Sequence, residues 1–392
     1  MSQTSGVSQR VLFFDGPPHR FESWLGLITP GRPRVARRAM LVAAVAWLPL
    51  ALLTALHGDF IGPDHANTFL LDMGALARFL IAAPLLVAAE SLCPPHLAEI
   101  ARQFVDGGLV TEMDRPAYDR AVDSSWRLLR SPLAEIVTFL LVYVLIATLI
   151  VTAPPVGTLP AWHGSFATGA LSPAGWWGVL VSLPVLLLLL VGWLWRVVVW
   201  TRFLWLMSGL KLQLVPSHPD RAAGLRFVGS SLWHFLPLSF AFGVIAAGAV
   251  ANRVLHDGAS PLDFKYLCLG VAAFAVTLFG APLLVFGRTL SSQHHRGQFE
   301  YGPLARRVGD LLECRWLYQG QCIDEQALQV QDFGATNALN AITANVYAMR
   351  RVPIERRDLT LVALAAILPF VPIALLTVPP EELVRKLAEL LL

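Results

Sequence analysis

The chain has 392 residues, of which 55 % are hydrophobic and only 15 % charged, with a net charge of +3 at pH 7. Soluble domains carry about a quarter of their residues as charges. So few at this length cannot clothe two or three domains in water, which places the chain in a lipid bilayer.

A hydrocarbon core takes about 20 mostly apolar residues per crossing helix. Seven stretches meet that requirement: 40–57, 70–91, 134–154, 174–200, 227–250, 264–287 and 359–378. Their continuous character predicts helices rather than the alternating segments of a barrel. LVSLPVLLLLLVGWLW (180–195) is the strongest, and the last is the weakest because it contains Pro369 and Pro372. The predicted fold is therefore all-α: a polytopic helical membrane protein with about seven transmembrane helices and a small cytoplasmic helical hairpin. Should 359–378 fold back at its prolines, six spans remain and both termini share one side. The polar arm before the first span is too long, and lacks a small-residue cleavage site, for a removable signal peptide.

Lysine and arginine set the orientation. They crowd the arm 1–38, the segment 92–131, the connection after the fourth span and the tract 288–357, whereas 58–69 and 155–173 have none. Under a positive-inside arrangement the N-terminus is cytoplasmic. All of the 30 basic residues then lie on the cytoplasmic side except Arg78, Arg253, Lys265, Arg385 and Lys386. Trp162, Trp176 and Trp177 are expected at the outer interface, and Trp193, Trp195, Trp200 and Trp205 at the inner one.

Outside the bilayer, the arm 1–38 contains FESWLGLI (21–28), which suits a short interfacial helix. Residues 92–131 read as helical near 96–105 and 115–130. In the cytoplasmic segment 291–357, Leu304, Val308, Leu311 and Leu312 recur at helical spacing, as do Leu339, Ile342, Val346 and Met349. This predicts a helical hairpin, too small to hold a core alone, that packs on the inner loops or on another subunit. Within 358–392, the last span is followed by EELVRKLAELLL (381–392), an amphipathic helix for the bilayer surface.

Charges within hydrocarbon are costly and mark either function or pairing. Asp72 and Glu90 in the second span are separated by eighteen residues, five turns or about 27 Å, which predicts one face with an acid at each interface. Arg78 lies about 9 Å inward of Asp72, where it either snorkels or faces a water-filled cavity or an anionic ligand. Glu90, Glu135, Arg196 and Arg288 collect at the inner ends of the spans, as expected of an ion-pair ring. His234, in the inner half of the fifth span, is either a proton carrier or an interhelical hydrogen-bonding group. In the cytoplasmic connection PSHPDRAAGL (216–225), Asp220 is placed to cap the following helix, while Arg221 and the helix start also suit an anion or lipid headgroup.

No metal set or cofactor motif stands out. Cys93, Cys268, Cys314 and Cys322 form no CxxC pair, and His294-His295 has no companion at zinc-finger spacing. Walker, GxSxG and HExxH motifs are lacking, and the arginines lend no support to nucleic-acid binding beyond what topology explains.

Span two reads LIAAPLLVAAE (80–90) and span six LFGAPLLVFGR (278–288). The shared APLLV is either chance in leucine-rich helices or a parallel duplication; a duplication would set Glu90 against Arg288 as a salt bridge. RFLIAAPLLVAAE (78–90), HPDRAAGLRFVG (218–229), FEYGPLARRVG (299–309) and the terminal stretch 367–392 together resemble a family of uncharacterised proteobacterial integral membrane proteins, over most of the chain after residue 70. The resemblance implies a bacterial inner-membrane protein and brings no activity with it.

Three functions fit these residues. A channel or transporter for a small ion or solute, oligomeric with copies of itself, would use Arg78 and His234. A lipid-modifying enzyme would use His218, Asp220 and Arg221, but the sequence offers it no nucleophile or metal. A scaffold or sensor would bind a cytoplasmic protein through the hairpin.

Overall fold

A computed structural model describes residues 16, 35–61, 68–152, 161–165, 170–314 and 332–377. The expected helices at 21–28 and 381–392 lie outside them. The chain is an all-α polytopic membrane protein. Seven helices are long and apolar enough to cross a bilayer: Val35–His57, Met73–Asp106, Pro132–Val151, Pro173–Ser208, Arg226–His256, Pro261–Leu311 and Arg356–Leu375. The last is one helical course, because Pro369 is taken up in a 3-10 turn over Leu368–Phe370 and the helix resumes at Val371. Besides helices, the described residues contain one two-residue antiparallel ladder, Gly164–Ser165 with Ala170–Leu171.

Spans two, four and five form the centre. They bury 50 %, 50 % and 56 % of their apolar windows, against 22 % for spans one, three and seven, whose remaining surface suits lipid. Span five touches spans two, six and seven, and span four touches one, three and the end of six. Small residues allow these approaches. A methyl added at Gly248 would fall 2.4 Å from Cβ of Ala77 on span two, and one at Gly243 would fall 2.2 Å from the Ala366 carbonyl on span seven. In lipid, close backbone contact and interhelical hydrogen bonds replace the hydrophobic drive. Accordingly the Ser182 hydroxyl donates to Ala46 O at 2.7 Å, the Trp193 indole to Leu86 O at 3.0 Å and the Ser239 hydroxyl to Val362 O at 2.7 Å.

Connections on one side of the bundle carry the arginines of 102–130, 202–226 and 288–357, and this is called the arginine-rich side below. Helices overrun the expected limits there. Span two continues through Pro94 and Pro95 to Asp106, followed by a helix over Arg115–Leu129. Span six runs into Gly287–Glu313, which packs on Asp332–Tyr347 to make the predicted hairpin. Its packing face differs from the one expected. Val346 and Met349 are buried, but Leu304 and Leu311 are exposed. The contact uses Gly297 instead, where an added methyl would lie 2.8 Å from both Val346 and Pro216. The hairpin therefore leans on the 216–225 loop, with the Ser217 and Tyr301 hydroxyls 3.3 Å apart.

The tryptophan belt also needs correction. Trp176 and Trp205 are exposed, but Trp162, Trp193 and Trp200 are core residues.

Candidate functional site

Span two carries a polar cluster at each end. At the end away from the arginine-rich side, Asp72 is the N-cap of Met73–Leu76, and its Oδ1 accepts from the Ala75 amide at 2.8 Å. Oδ1 also accepts from Nδ2 of Asn252 on span five at 2.7 Å, and Oδ2 from the Trp162 indole at 3.2 Å. Asn252 returns its own oxygen to the Gly74 amide. The carboxylate is buried and accepts three hydrogen bonds.

Arg78 begins the next turn, in a π-helical segment over Ala77–Ala82. Such segments inside α-helices concentrate at functional sites. Nε of Arg78 donates to the Gly74 carbonyl at 2.8 Å, and the guanidinium lies 5.7 Å from the Phe79 ring centre. It forms no ion pair with Asp72, although a methyl added at Gly74 would sit 3.1 Å from Asp72 Oδ1 and 3.3 Å from Arg78 Nη2. Both side chains, with Asn252, crowd the space over Gly74.

The short turn Ala161–His163 lies at this end, where Trp162 meets Asp72. The His163 ring lies 3.9 Å from that of Trp162, tilted by 31°, and the start of span four fastens the pair: the Ser172 hydroxyl donates to Trp162 O and the Ser172 amide to His163 O. Gly175 is required there, because a Cβ would strike the His163 carbonyl at 2.2 Å. Nδ1 of His163 is buried without a partner. Burial, and next the charge of Arg78, push this imidazole down to about 4, so it is neutral at pH 7.

At the arginine-rich end, Glu90 joins three spans. Its Oε2 accepts from Arg38 of span one at 2.7 Å and its Oε1 from Arg196 of span four at 2.9 Å, all three side chains being buried. The sequence places Glu90 and Arg196 together, as found, but Arg288 is exposed and makes no ion pair with Glu90. Glu135, also expected in the ring, is absent from this cluster. Asp72 and Glu90 do not share a face either: one reaches span five, the other spans one and four. Each π-turn admits about one residue more than an α-turn, and one residue is about 100° of rotation. The segment 77–82 therefore changes the phase between them.

His234 ends the short helix Ser231–His234 on the arginine-rich side, far along span five from Asn252. Its ring stacks at 3.9 Å on His96 of span two, and Nδ1 pairs with Ser230 O at 3.0 Å. The Cys93 thiol donates to the His234 carbonyl. Arg78 and His234 are thus at opposite ends and line no common feature.

In the 216–225 loop, Asp220 accepts from the amides of Ala222 (2.8 Å), Gly224 (3.1 Å) and Arg226 (3.1 Å), and lies 2.8 Å from Nδ1 of His218. Burial would raise its pKa, but those three amides and His218 together hold it below the ordinary value. The amides that were candidates for an external anion are occupied by the chain's own carboxylate. The side chain of Arg221 is exposed, and its carbonyl accepts from the Arg350 amide at 2.8 Å. Arg226 then donates to Glu355 and Asp358 at 3.0 Å each, and the Trp233 indole to Asp358 at 2.9 Å, which locks this loop to the start of span seven. His218 and Asp220 form a dyad, but Ser217 beside them pairs with Tyr301, so no hydroxyl is delivered to His218. Among the described residues no three His, Cys, Asp or Glu side chains gather as a metal would need.

Arg38, Asn252, His163 and Asp358 were not singled out from sequence, and Trp162 only as a residue of the outer belt. Only the isolated Asn252 in an apolar helix carried a local signal, since a polar amide in a span seeks a partner.

Comparison with protein-family models, curated proteins and solved structures finds no match.

Proposed function

We propose that the protein is a channel or transporter for a small ion or solute in a bacterial inner membrane, with the arginine-rich side cytoplasmic. Arg78 marks the opposite mouth of its route. The observation that carries this reading is the state of Arg78 within span two: among the described residues its terminal nitrogens have no acceptor, while the adjacent Asp72 accepts from Ala75, Asn252 and Trp162. A guanidinium kept at such depth without an ion pair is expensive unless it meets water or a solute. The charge asymmetry of the connecting segments supports the orientation, and the resemblance noted above supports the membrane.

The test is flux through purified protein in liposomes over a broad panel of ions and small solutes. Flux that disappears in Arg78→Ala, with the helical signal and thermal midpoint retained, supports the reading; absence of flux for the whole panel overturns it. Reporter fusions at residues 165 and 258 should read as non-cytoplasmic. A scaffold is the second reading, favoured by the exposure of Phe299, Leu304 and Leu311 along Gly287–Glu313 beyond the span. It predicts a co-purifying protein that is lost on deleting 300–350.

A further inference from the structure

We infer that Arg78, with the neighbouring His163, forms a binding site for a small monoanionic carboxylate at the end of the bundle away from the arginine-rich side. The inference rests on the transport reading only for what happens after the ligand binds.

The donor count comes first. A guanidinium has five N–H groups in a fixed fork. In Arg78 the Nε–H is committed to the Gly74 carbonyl at 2.8 Å. That bond holds the side chain against its own helix and leaves the end-on pair, Nη1 and Nη2, without an acceptor among the described residues. Two parallel N–H groups in one plane match the two oxygens of a carboxylate. Nδ1 of His163 is a further buried polar atom with no partner among the described residues, and the Trp162–Asp72 hydrogen bond, with His163 packed on Trp162, brings its ring to the same end of span two.

The charge count decides the class of ligand. Asp72 Oδ1 and Nη2 of Arg78 both lie over Gly74, and three donors hold Asp72 in place. One positive and one negative charge therefore border the site, and the imidazole adds none at pH 7. Attraction to Arg78 and repulsion from Asp72 both double for a dianion such as sulfate or hydrogen phosphate, while its desolvation cost rises as the square of its charge, so the dianion is the poorer ligand. A cation meets one lone pair of Asp72 Oδ2 at most, with the Arg78 charge beside it. A monoanion that docks end-on to the fork keeps its charge beyond the guanidinium, away from Asp72. His163 offers it a neutral donor at no electrostatic cost, provided that the Nδ1 tautomer carries the proton.

The site is also preorganised. Asn252 braces Asp72 and Gly74 from span five, and Ser172 and Gly175 hold the Trp162–His163 pair from span four. No side chain has to find its place when the ligand arrives, which lowers the cost of binding.

The experiment uses the full-length protein in nanodiscs, titrated at constant ionic strength with sodium formate or acetate and, in parallel, with sulfate and phosphate. Thermal midpoint and calorimetric heat are the readouts. Formate or acetate should raise the midpoint saturably, with no such rise from the dianions. Arg78→Lys keeps the charge but loses the fork, and should weaken carboxylate affinity by about tenfold; Arg78→Gln should abolish it. Should Arg78→Gln fail to fold, Arg78→Lys and His163→Phe carry the test, the latter weakening binding without changing charge. Equal stabilisation of wild type and Arg78→Lys, or stabilisation by sulfate as strong as by acetate, overturns the site. Inorganic-ion flux without carboxylate binding overturns this inference and leaves the transport reading; carboxylate binding with no flux of any solute does the reverse.

Discussion

Removal of the Glu90 carboxylate should be among the most damaging single changes in the protein. Glu90 holds Arg38 at 2.7 Å and Arg196 at 2.9 Å, with side-chain exposures of 7 %, 7 % and 3 % for Glu90, Arg38 and Arg196. Breaking a buried pair by deleting one partner costs roughly 3–5 kcal/mol, because the survivor is left as an uncompensated charge. Glu90→Ala leaves two such charges side by side, so the loss should reach about 5 kcal/mol or more, comparable to the whole stability of a marginal protein. Arg38→Met instead leaves one acid and one base, and should cost less. Glu90→Gln retains an acceptor without the charge and should fall between them. Thermal midpoints of protein purified in mild detergent should therefore descend from wild type through Arg38→Met and Glu90→Gln to Glu90→Ala. In the Glu90→Ala background, Arg38→Met should recover stability by removing one of the two like charges left side by side. A Glu90→Ala midpoint equal to wild type, or strictly additive losses in the double variant, would refute the reasoning.

Gly248→Ala places a methyl 2.4 Å from Cβ of Ala77 and should cost about 2 kcal/mol through overpacking; adding Ala77→Gly should return most of the lost thermal midpoint. Ala223 holds φ at +54°, so Ala223→Gly should relieve about 1 kcal/mol of left-handed strain and leave the midpoint unchanged or higher. The Asp220 carboxylate has a folded pKa below its ordinary 3.8, so its contribution is present above that value and is lost as pH falls through the lower, folded one. Asp220→Asn should accordingly be less stable than wild type at pH 7, with the difference closing under acid; a gap that is constant with pH counts against the amide nest.

Apolar run length made the seven spans legible, because hydrocarbon thickness dictates it whatever the tertiary packing. The limits on the arginine-rich side were not legible in the same way. Span two proceeds to Asp106 and span four to Ser208 because helical periodicity continues where hydropathy falls. The phase of span two failed for a sharper reason. ARFLIA (77–82) contains neither proline nor glycine, yet it forms the π segment that sends Asp72 and Glu90 to different neighbours. The repeat is instructive too. APLLV opens an α-helix at Ala83, and at Ala281–Phe286 the same five residues lie in a 3-10 stretch, so one pentapeptide takes two conformations in two packing environments. Arg78 was visible as a charge inside a span. The placing of His163 at the same end of the bundle was not, because it comes through Trp162, which is distant in sequence and donates to Asp72.

The acids that the described part of the bundle buries are Asp72, Glu90 and Asp358, and their positions bear on how the helices select one another. Lipid tails are as apolar as leucine, so burial by itself does not tell a span which neighbour to take. Each acid sits at the end of a span and collects donors from a different one. Asp72 takes Asn252 and so joins spans two and five; Glu90 takes Arg38 and Arg196 and joins two to one and four; Asp358 takes Arg226 and Trp233 and joins seven to five. An unpaired carboxylate in hydrocarbon is costly enough to penalise any arrangement that separates these sets. Among the described residues no buried acid ties in span three or span six, and span three meets span four through a small apolar cluster of Val142, Ile146, Val179 and Leu188. Of these two, span three buries only 22 % of its apolar window against 39 % for span six, so its packing should respond more to the thickness and composition of the surrounding lipid.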